Sequence, residues 1–246
     1  MDWGSVAGLL LALGGVVFGL ELEGGHLGSI LQPTAFVIVV AGTLGAVLLQ
    51  SNLRQFLRGV KMLAWIFRPP VDDSAALIHS LGDWSIVARR EGFLSLEPFM
   101  NDELDPFVRS GLRLLIDGTT PDKLRAILEV EIGTYELHQK QAVKIWDAAG
   151  GYAPTLGILG AVLGLIHVME NLSDPAQLGS GIAVAFVATI YGIGLANLVF
   201  LPIGTKLKTV INRKINRMDM LQDSFCGIAG GDNPRIIQER ARAYFV

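Results

Sequence analysis

The stretch AAGGYAPTLGILGAVLGLIHVM, Ala148–Met169, runs for 22 residues without an Asp, Glu, Lys or Arg. A helix that crosses a bilayer needs about 20 mostly apolar residues. Three further stretches meet the same condition: Trp3–Leu20, Pro33–Leu53 and Pro175–Thr205. With 51% of its residues hydrophobic, the chain reads as an integral membrane protein with four crossings. All twenty Lys and Arg lie in two places, twelve between Arg54 and Lys144 and eight between Lys206 and Arg242. The two short connections, Glu21–Gln32 and Glu170–Gly179, have none. This asymmetry puts both termini and the long loop between crossings two and three on the cytoplasmic side. The expected fold class is all-α, a polytopic membrane protein with a helical cytoplasmic domain. The segments are 1–50 for crossings one and two, 51–150 for the cytoplasmic loop, 151–202 for crossings three and four, and 203–246 for a C-terminal helix and tail.

The net charge of −3 hides a partition. Residues 51–150 carry twelve basic and fourteen acidic side chains, while the tail after Pro202 carries eight and four. A basic tail beside a membrane orients the chain against anionic lipid, and without aromatic interleaving it is no nucleic-acid footprint. Trp3–Leu20 lacks the basic start and small-residue cleavage site of a signal peptide, so a retained helix is expected. Cys226 is the single cysteine, which excludes an intrachain disulfide framework.

Small residues recur in the crossings: Gly4, Gly8, Gly15 and Gly19 in the first, Gly157, Gly160 and Gly164 in the third, Gly192 and Gly194 in the fourth. Such residues let helices approach closely in lipid. The spacing of Leu53, Phe56, Leu57, Val60, Leu63 and Ala64 predicts that the second helix continues into the cytoplasm until Arg68-Pro69-Pro70. Short helices follow around Ser74–Leu81, Asp83–Arg90 and Leu104–Asp117. Thr120-Pro121-Asp122 opens a long one that runs to Asp147, with Gly150-Gly151 loosening its join to crossing three. A last amphipathic helix spans about Thr205–Cys226.

No Gly-rich phosphate loop, nucleophile elbow or zinc motif is found, so neither an enzyme nor a cofactor is expected. Intramembrane ionisable groups are the usual carriers of ion pathways. The acidic residues nearest the membrane, Glu21, Glu23, Glu170 and Asp174, sit at the outer helix ends, and none lies at mid-depth. What the chain offers at depth is neutral and polar: Thr155, Thr189, Tyr191 and Asn197. These groups either line one wall of a pathway or simply bond within their helices. His167, near the end of crossing three, is either a proton relay or a partly solvated interfacial group. Pro154 and Pro202 flank crossings three and four, as helix start and helix break or as hinges. In Ala88-Arg89-Arg90-Glu91-Gly92-Phe93-Leu94-Ser95-Leu96-Glu97, basic residues precede an acidic one by seven and eight positions. That stretch is a solvated charged face or a docking surface.

The 88–97 stretch resembles the MotA/PomA family of flagellar motor stator proteins. So do Tyr152-Ala153-Pro154-Thr155-Leu156-Gly157-Ile158-Leu159-Gly160 and Ala188-Thr189-Ile190-Tyr191-Gly192 with Asn197-Leu198-Val199-Phe200-Leu201-Pro202. The similarity covers nearly the whole chain. It implies a ring, a homopentamer, in the bacterial inner membrane around two single-span, peptidoglycan-anchored partners of the MotB type. The partner supplies the membrane aspartate that this chain lacks. By the same resemblance Thr189 stands near the ion site, Pro154 and Pro202 couple ion flow to motion, and Arg89, Arg90 and Glu97 contact the rotor protein FliG. Sodium-driven members carry a threonine seven residues after the proline that matches Pro154. Here that position is Ala161, whose methyl offers no oxygen ligand, so protons rather than sodium are the expected coupling ion. A TolQ/ExbB-type energiser, with three crossings and its large loop after the first, fits the hydropathy less well. A purely structural membrane scaffold is the other alternative.

Overall fold

The computed structural model describes residues 2–70, 73–171 and 175–245. Asp174 lies outside the described residues. Four helices are long and apolar enough to cross a membrane, within Trp3–Leu22, Pro33–Gln50, Pro121–Glu170 and Leu178–Ala229. Described in chain order, α1 covers Trp3–Leu22 and a single turn, α2, covers Leu27–Ile30. The second crossing combines α3 (Pro33–Phe36), a π-helical segment Val37–Ala41 and α4 (Gly42–Gln50). Two shorter helices follow, α5 (Leu53–Lys61) and α6 (Ala64–Phe67). Then come α7 (Ser74–Glu91), a 3-10 turn Phe93–Leu96, α8 (Glu97–Asp102) and α9 (Pro106–Ile116). The long α10 spans Pro121–Glu170. The fourth crossing is α11 (Pro175–Gly194), a second π-helical segment Leu195–Phe200 and α12 (Leu201–Ala229), before α13 (Pro234–Ala243) closes the chain. The chain forms two compact units, Met1–Pro69 with Lys140–Thr209, and Pro70–Gln139 with Val210–Val246.

In the membrane unit, small residues set the packing of crossings three and four. A Cβ on Gly192 would lie 2.6 Å from the Ala153 carbonyl oxygen and 2.9 Å from the Gly157 Cα. One on Gly164 would lie 2.9 Å from both the Ala185 nitrogen and the Gly181 carbonyl oxygen. Only glycine permits backbones to meet this closely. The second crossing lays Ala35, Val39, Thr43 and Val47, spaced one turn apart, against the unit's interior. The glycines of α1 behave differently: Gly8, Gly15 and Gly19 face open space, and α1 buries no residue. The sequence expectation of close packing therefore holds for Gly157, Gly160, Gly164 and Gly192 but not for Gly194 or for the first crossing within this chain.

Several helix boundaries differ from expectation. The second crossing stops at Gln50, because Asn52 opens a new helix: its side chain accepts the Arg54 N–H at 3.1 Å, and Gln55 Oε1 accepts the Asn52 N–H at 3.3 Å. The expected break at Gly150-Gly151 is absent, and α10 runs through Pro154 as well. Proline 202 does not end the fourth crossing either; it is the second residue of α12. In a regular α-helix its ring would clash with the Leu198 carbonyl. The π-helical segment Leu195–Phe200 widens the turns just before it and relieves that clash.

The cytoplasmic unit has its own core. Trp84 of α7 and Phe225 of α12 stack with ring centroids 6.3 Å apart. Around them Leu81, Leu112, Leu124, Leu128 and Ile237 are fully buried. Asp105 and Asn233 cap α9 and α13 by accepting the Phe107 and Arg235 N–H groups at 2.9 and 3.0 Å, each followed by proline at the first helical position.

Candidate functional site

Crossings three and four carry the polar groups at depth. Pro154 and Ala161 are seven residues apart, two turns along one edge of α10, and both are half-buried. The tight Gly157–Gly192 contact sets Thr189 beside them: a Cβ on Gly157 would lie 3.4 Å from the Thr189 Cα. Pro154, Ala161 and Thr189 thus share one seam, with Ala161 one turn beyond Gly157. Thr155 is exposed, on the outward face with Ile158, Leu159 and Val162. Pro202 is separate from this group and lines a groove with Gly8, Leu63 and Phe67.

Three of the four polar side chains donate to their own helix. Thr155 Oγ1 donates to the Tyr152 carbonyl at 2.8 Å, Thr189 Oγ1 to the Ala185 carbonyl at 3.3 Å, and Asn197 Nδ2 to the Ile193 carbonyl at 3.0 Å. These local bonds remove the penalty of a free donor in lipid and leave the side-chain oxygens as acceptors. Tyr191 is spent differently. Its hydroxyl donates to the Ile30 carbonyl at 2.5 Å and accepts the Gln32 N–H at 3.4 Å, holding the loop before the second crossing. His167 is exposed, and Asn171 Nδ2 lies 3.4 Å from its Nδ1. Among the described residues no His, Cys, Asp and Glu cluster could hold a metal ion.

Arg89, Arg90 and Glu97 lie in the cytoplasmic unit. The two arginines end α7, Gly92 turns the chain with φ +86°, and Glu97 opens α8. All three are exposed, and none makes an ion pair among the described residues. Cations at a helix C-terminus and an anion at an N-terminus also suit the helix dipoles. The helix ends fix their backbone positions, and the side chains are exposed.

One cluster had no counterpart in the sequence reading. Arg217 of α12, 7% exposed, grips Asp73 with Nε and Nη2 at 2.8 and 3.1 Å and reaches Asp105 with Nη1 at 2.7 Å. Lys214 Nζ lies 2.9 Å from the same Asp105 oxygen. Burial alone would raise the Asp105 carboxyl. The Lys214 bond and charge, the Phe107 N–H and Arg217 outweigh it and hold the group below the ordinary value of 3.8. The Asp105-Pro106 pair is a helix-start signature and could have been read. Its partner more than a hundred residues away could not.

Two family profiles match the chain: "Motility protein A N-terminal" over residues 6–87 and "MotA/TolQ/ExbB proton channel family" over 100–220. Among curated relatives, Motility protein A of Helicobacter pylori is 33% identical, covering 99% of this chain and 95% of that protein. Chemotaxis protein PomA of Vibrio alginolyticus is 31% identical with the same coverage. Among solved structures, the C. jejuni MotAB structure matches with a TM-score of 0.94 at 28% identity, over 100% of this chain and 96% of that one. The flagellar MotAB stator complex from Bacillus subtilis matches at 0.90 and 30% identity, with the same coverage.

Proposed function

Because the chain belongs to the MotA/TolQ/ExbB proton channel family, in its MotA/PomA-type stator branch, we propose that it is the ring subunit of a flagellar motor stator. It is a multi-pass protein of the inner membrane. With a MotB-type partner it couples proton flow to rotation and applies torque to the rotor protein FliG. The observation that carries this reading is the full-length match to chains solved as MotAB complexes, joined to the lack of any mid-membrane acid in this one. Ionisable side chains at membrane depth, carboxylates among them, are the usual carriers of protons across a bilayer. This chain has no carboxylate at depth, so a partner helix supplies one, and several copies ring that partner as a pentamer. The four crossings, with the large loop after the second, separate the chain from a TolQ/ExbB-type energiser.

The half-buried seam of Pro154, Ala161 and Thr189 is the wall that faces the partner's acid. The Thr189 hydroxyl oxygen accepts a hydrogen bond from the protonated carrier or its waters, and the Ala161 methyl withholds the ligand that a sodium ion would need. In this reading Pro154 and Pro202 turn ion passage into movement. Purified chain and partner in proteoliposomes pass protons, read with an internal pH dye, and the chain alone passes none. Thr189→Val lowers the flux about tenfold, the effect of one hydrogen bond of roughly 1.4 kcal/mol at the barrier. Proton flux through the chain alone would refute the shared pathway.

Arg89, Arg90 and Glu97 form the rotor contact. Reversing both signs, with Arg90→Glu and Glu97→Lys together, reduces swimming speed by roughly half or more while membrane insertion stays normal. A compensating charge reversal in the rotor protein restores part of the speed. Unchanged speed in a strain with no other stator would return this surface to a merely solvated face.

A further inference from the structure

Helices α5 and α6 connect two points at the cytoplasmic boundary of the membrane. Asn52, which caps α5, stands two residues after Gln50, the end of the second crossing. Phe67, the last residue of α6, accepts at its carbonyl the N–H of Asp2 at 3.1 Å, and Asp2 is the N-cap of α1. The segment therefore starts where one crossing leaves the bilayer and ends where another enters it. It lies along the boundary rather than away from it.

At about 100° per residue, α5 and α6 divide into three faces. The first is buried on the membrane unit. Phe56 packs against Val47, Ile145 and Ala149, the Gly59 carbonyl accepts Trp146 Nε1–H at 3.1 Å, and Met62 and Ile66 are buried. The second is apolar and uncovered: Leu53 is 62% exposed, Leu57 50%, Val60 38% and Phe67 40%. The third borders it as a stripe of Arg54, Arg58 and Lys61, all exposed and without an ion pair among the described residues. An apolar face edged by free cations on one side is the pattern of a helix lying in the headgroup layer. Its apolar face sits in the acyl region, and the long basic side chains reach out to the phosphates. Beside Leu63 and Phe67, a groove of about 560 Å³ opens between α6, α1 and the end of the fourth crossing, lined mostly by apolar residues such as Leu9, Ala12 and Val199.

We propose that α5 and α6 form a binding site for an anionic phospholipid of the cytoplasmic leaflet, with its phosphate on the Arg54–Arg58–Lys61 stripe and its acyl chains against the bordering Leu53–Leu57–Val60 face. Charge complementarity selects the lipid. The stripe has no acidic residue among Leu53–Phe67 to neutralise it, and an anionic headgroup is the ligand available at that depth. The groove's own cation, Lys206, is paired with Asp2, so the stripe rather than the groove holds the phosphate.

Electron paramagnetic resonance of the purified chain with its membrane partner, in bilayers containing spin-labelled lipid, tests this. Phosphatidylglycerol is expected to be immobilised in preference to phosphatidylcholine, by about fivefold for each basic residue that contacts it. Arg54→Gln, Arg58→Gln and Lys61→Gln together remove the preference, and Arg235→Gln with Arg242→Gln leaves it intact. No preference in the wild type, or a preference that survives the triple change, overturns the proposal. A second measurement stands if the triple variant fails to fold. A fluorophore on Leu57→Cys, in a Cys226→Ser background, is quenched by lipids with brominated acyl chains. Absence of quenching, with disulfide crosslinks between copies when Leu57→Cys is left unlabelled, would show that protein covers the face and would sink the lipid site.

Discussion

Arg217→Leu destabilises the cytoplasmic unit by about 1–3 kcal/mol. The guanidinium is 7% exposed and joins the carboxylates that precede α7 and α9, so its loss strips Asp73 of its partner and leaves Asp105 to Lys214 and the Phe107 N–H. Breaking one side of a buried ion pair removes the attraction and keeps the desolvation. Asp105→Asn has the smaller effect, because Arg217 retains Asp73. Adding Asp73→Asn and Asp105→Asn to Arg217→Leu recovers part of the loss. Hydrogen exchange of the Leu81, Leu112 and Phe225 amides reads the unit without requiring the membrane part to unfold. Protection equal to wild type in Arg217→Leu would show that the cluster is a surface decoration.

The same cluster sets a pH response. The folded Asp105 carboxyl is held below 3.8, so its contribution is fully present above that value and is lost as pH falls through the depressed one. Protection of the core amides is therefore flat from neutral pH to about 5 and falls below about 4. Asp105→Asn removes that part of the acid sensitivity.

Gly192→Val disables the protein through the membrane unit. The added side chain would enter the space held by the Ala153 carbonyl and the Gly157 Cα, both backbone atoms that cannot rotate away. Forcing atoms into such a contact costs at least about 1–3 kcal/mol, and the third and fourth helices separate along the seam that holds Thr189. Gly194→Ala, two residues on and facing open space, is expected to be harmless. Swimming speed normalised to membrane-inserted protein compares the two. Normal speed in Gly192→Val would mean that the close approach is dispensable.

The crossings were legible because charge is excluded from lipid over a whole helix length, which makes Trp3–Leu22 and Ala148–Met169 visible without any partner. The start of α10 was legible from Thr120-Pro121, a purely local signal. Positions that failed were those where a distant contact decides. Gly82 looked like a gap between two helices, yet α7 is continuous through it, and a Cβ there would meet the Gln238 amide of α13. Gly150 looked like a loosened join, yet it is small because Leu201 packs on it, at 2.5 Å from a would-be Cβ. At both sites glycine marks close approach rather than a turn. The roles of Thr189, Ala161 and the charged 88–97 stretch came from family resemblance, since a half-buried threonine bonded to its own helix is indistinguishable in sequence from a structural one.

Motor speed in cells whose only stator ring protein is this chain, recorded while the sodium and proton gradients are varied separately, tests the proposed coupling most directly. Proton coupling through a seam with a methyl at Ala161 requires speed to follow the proton-motive force and to ignore sodium at constant pH. Speed that rises with sodium at constant pH and constant membrane potential would contradict it.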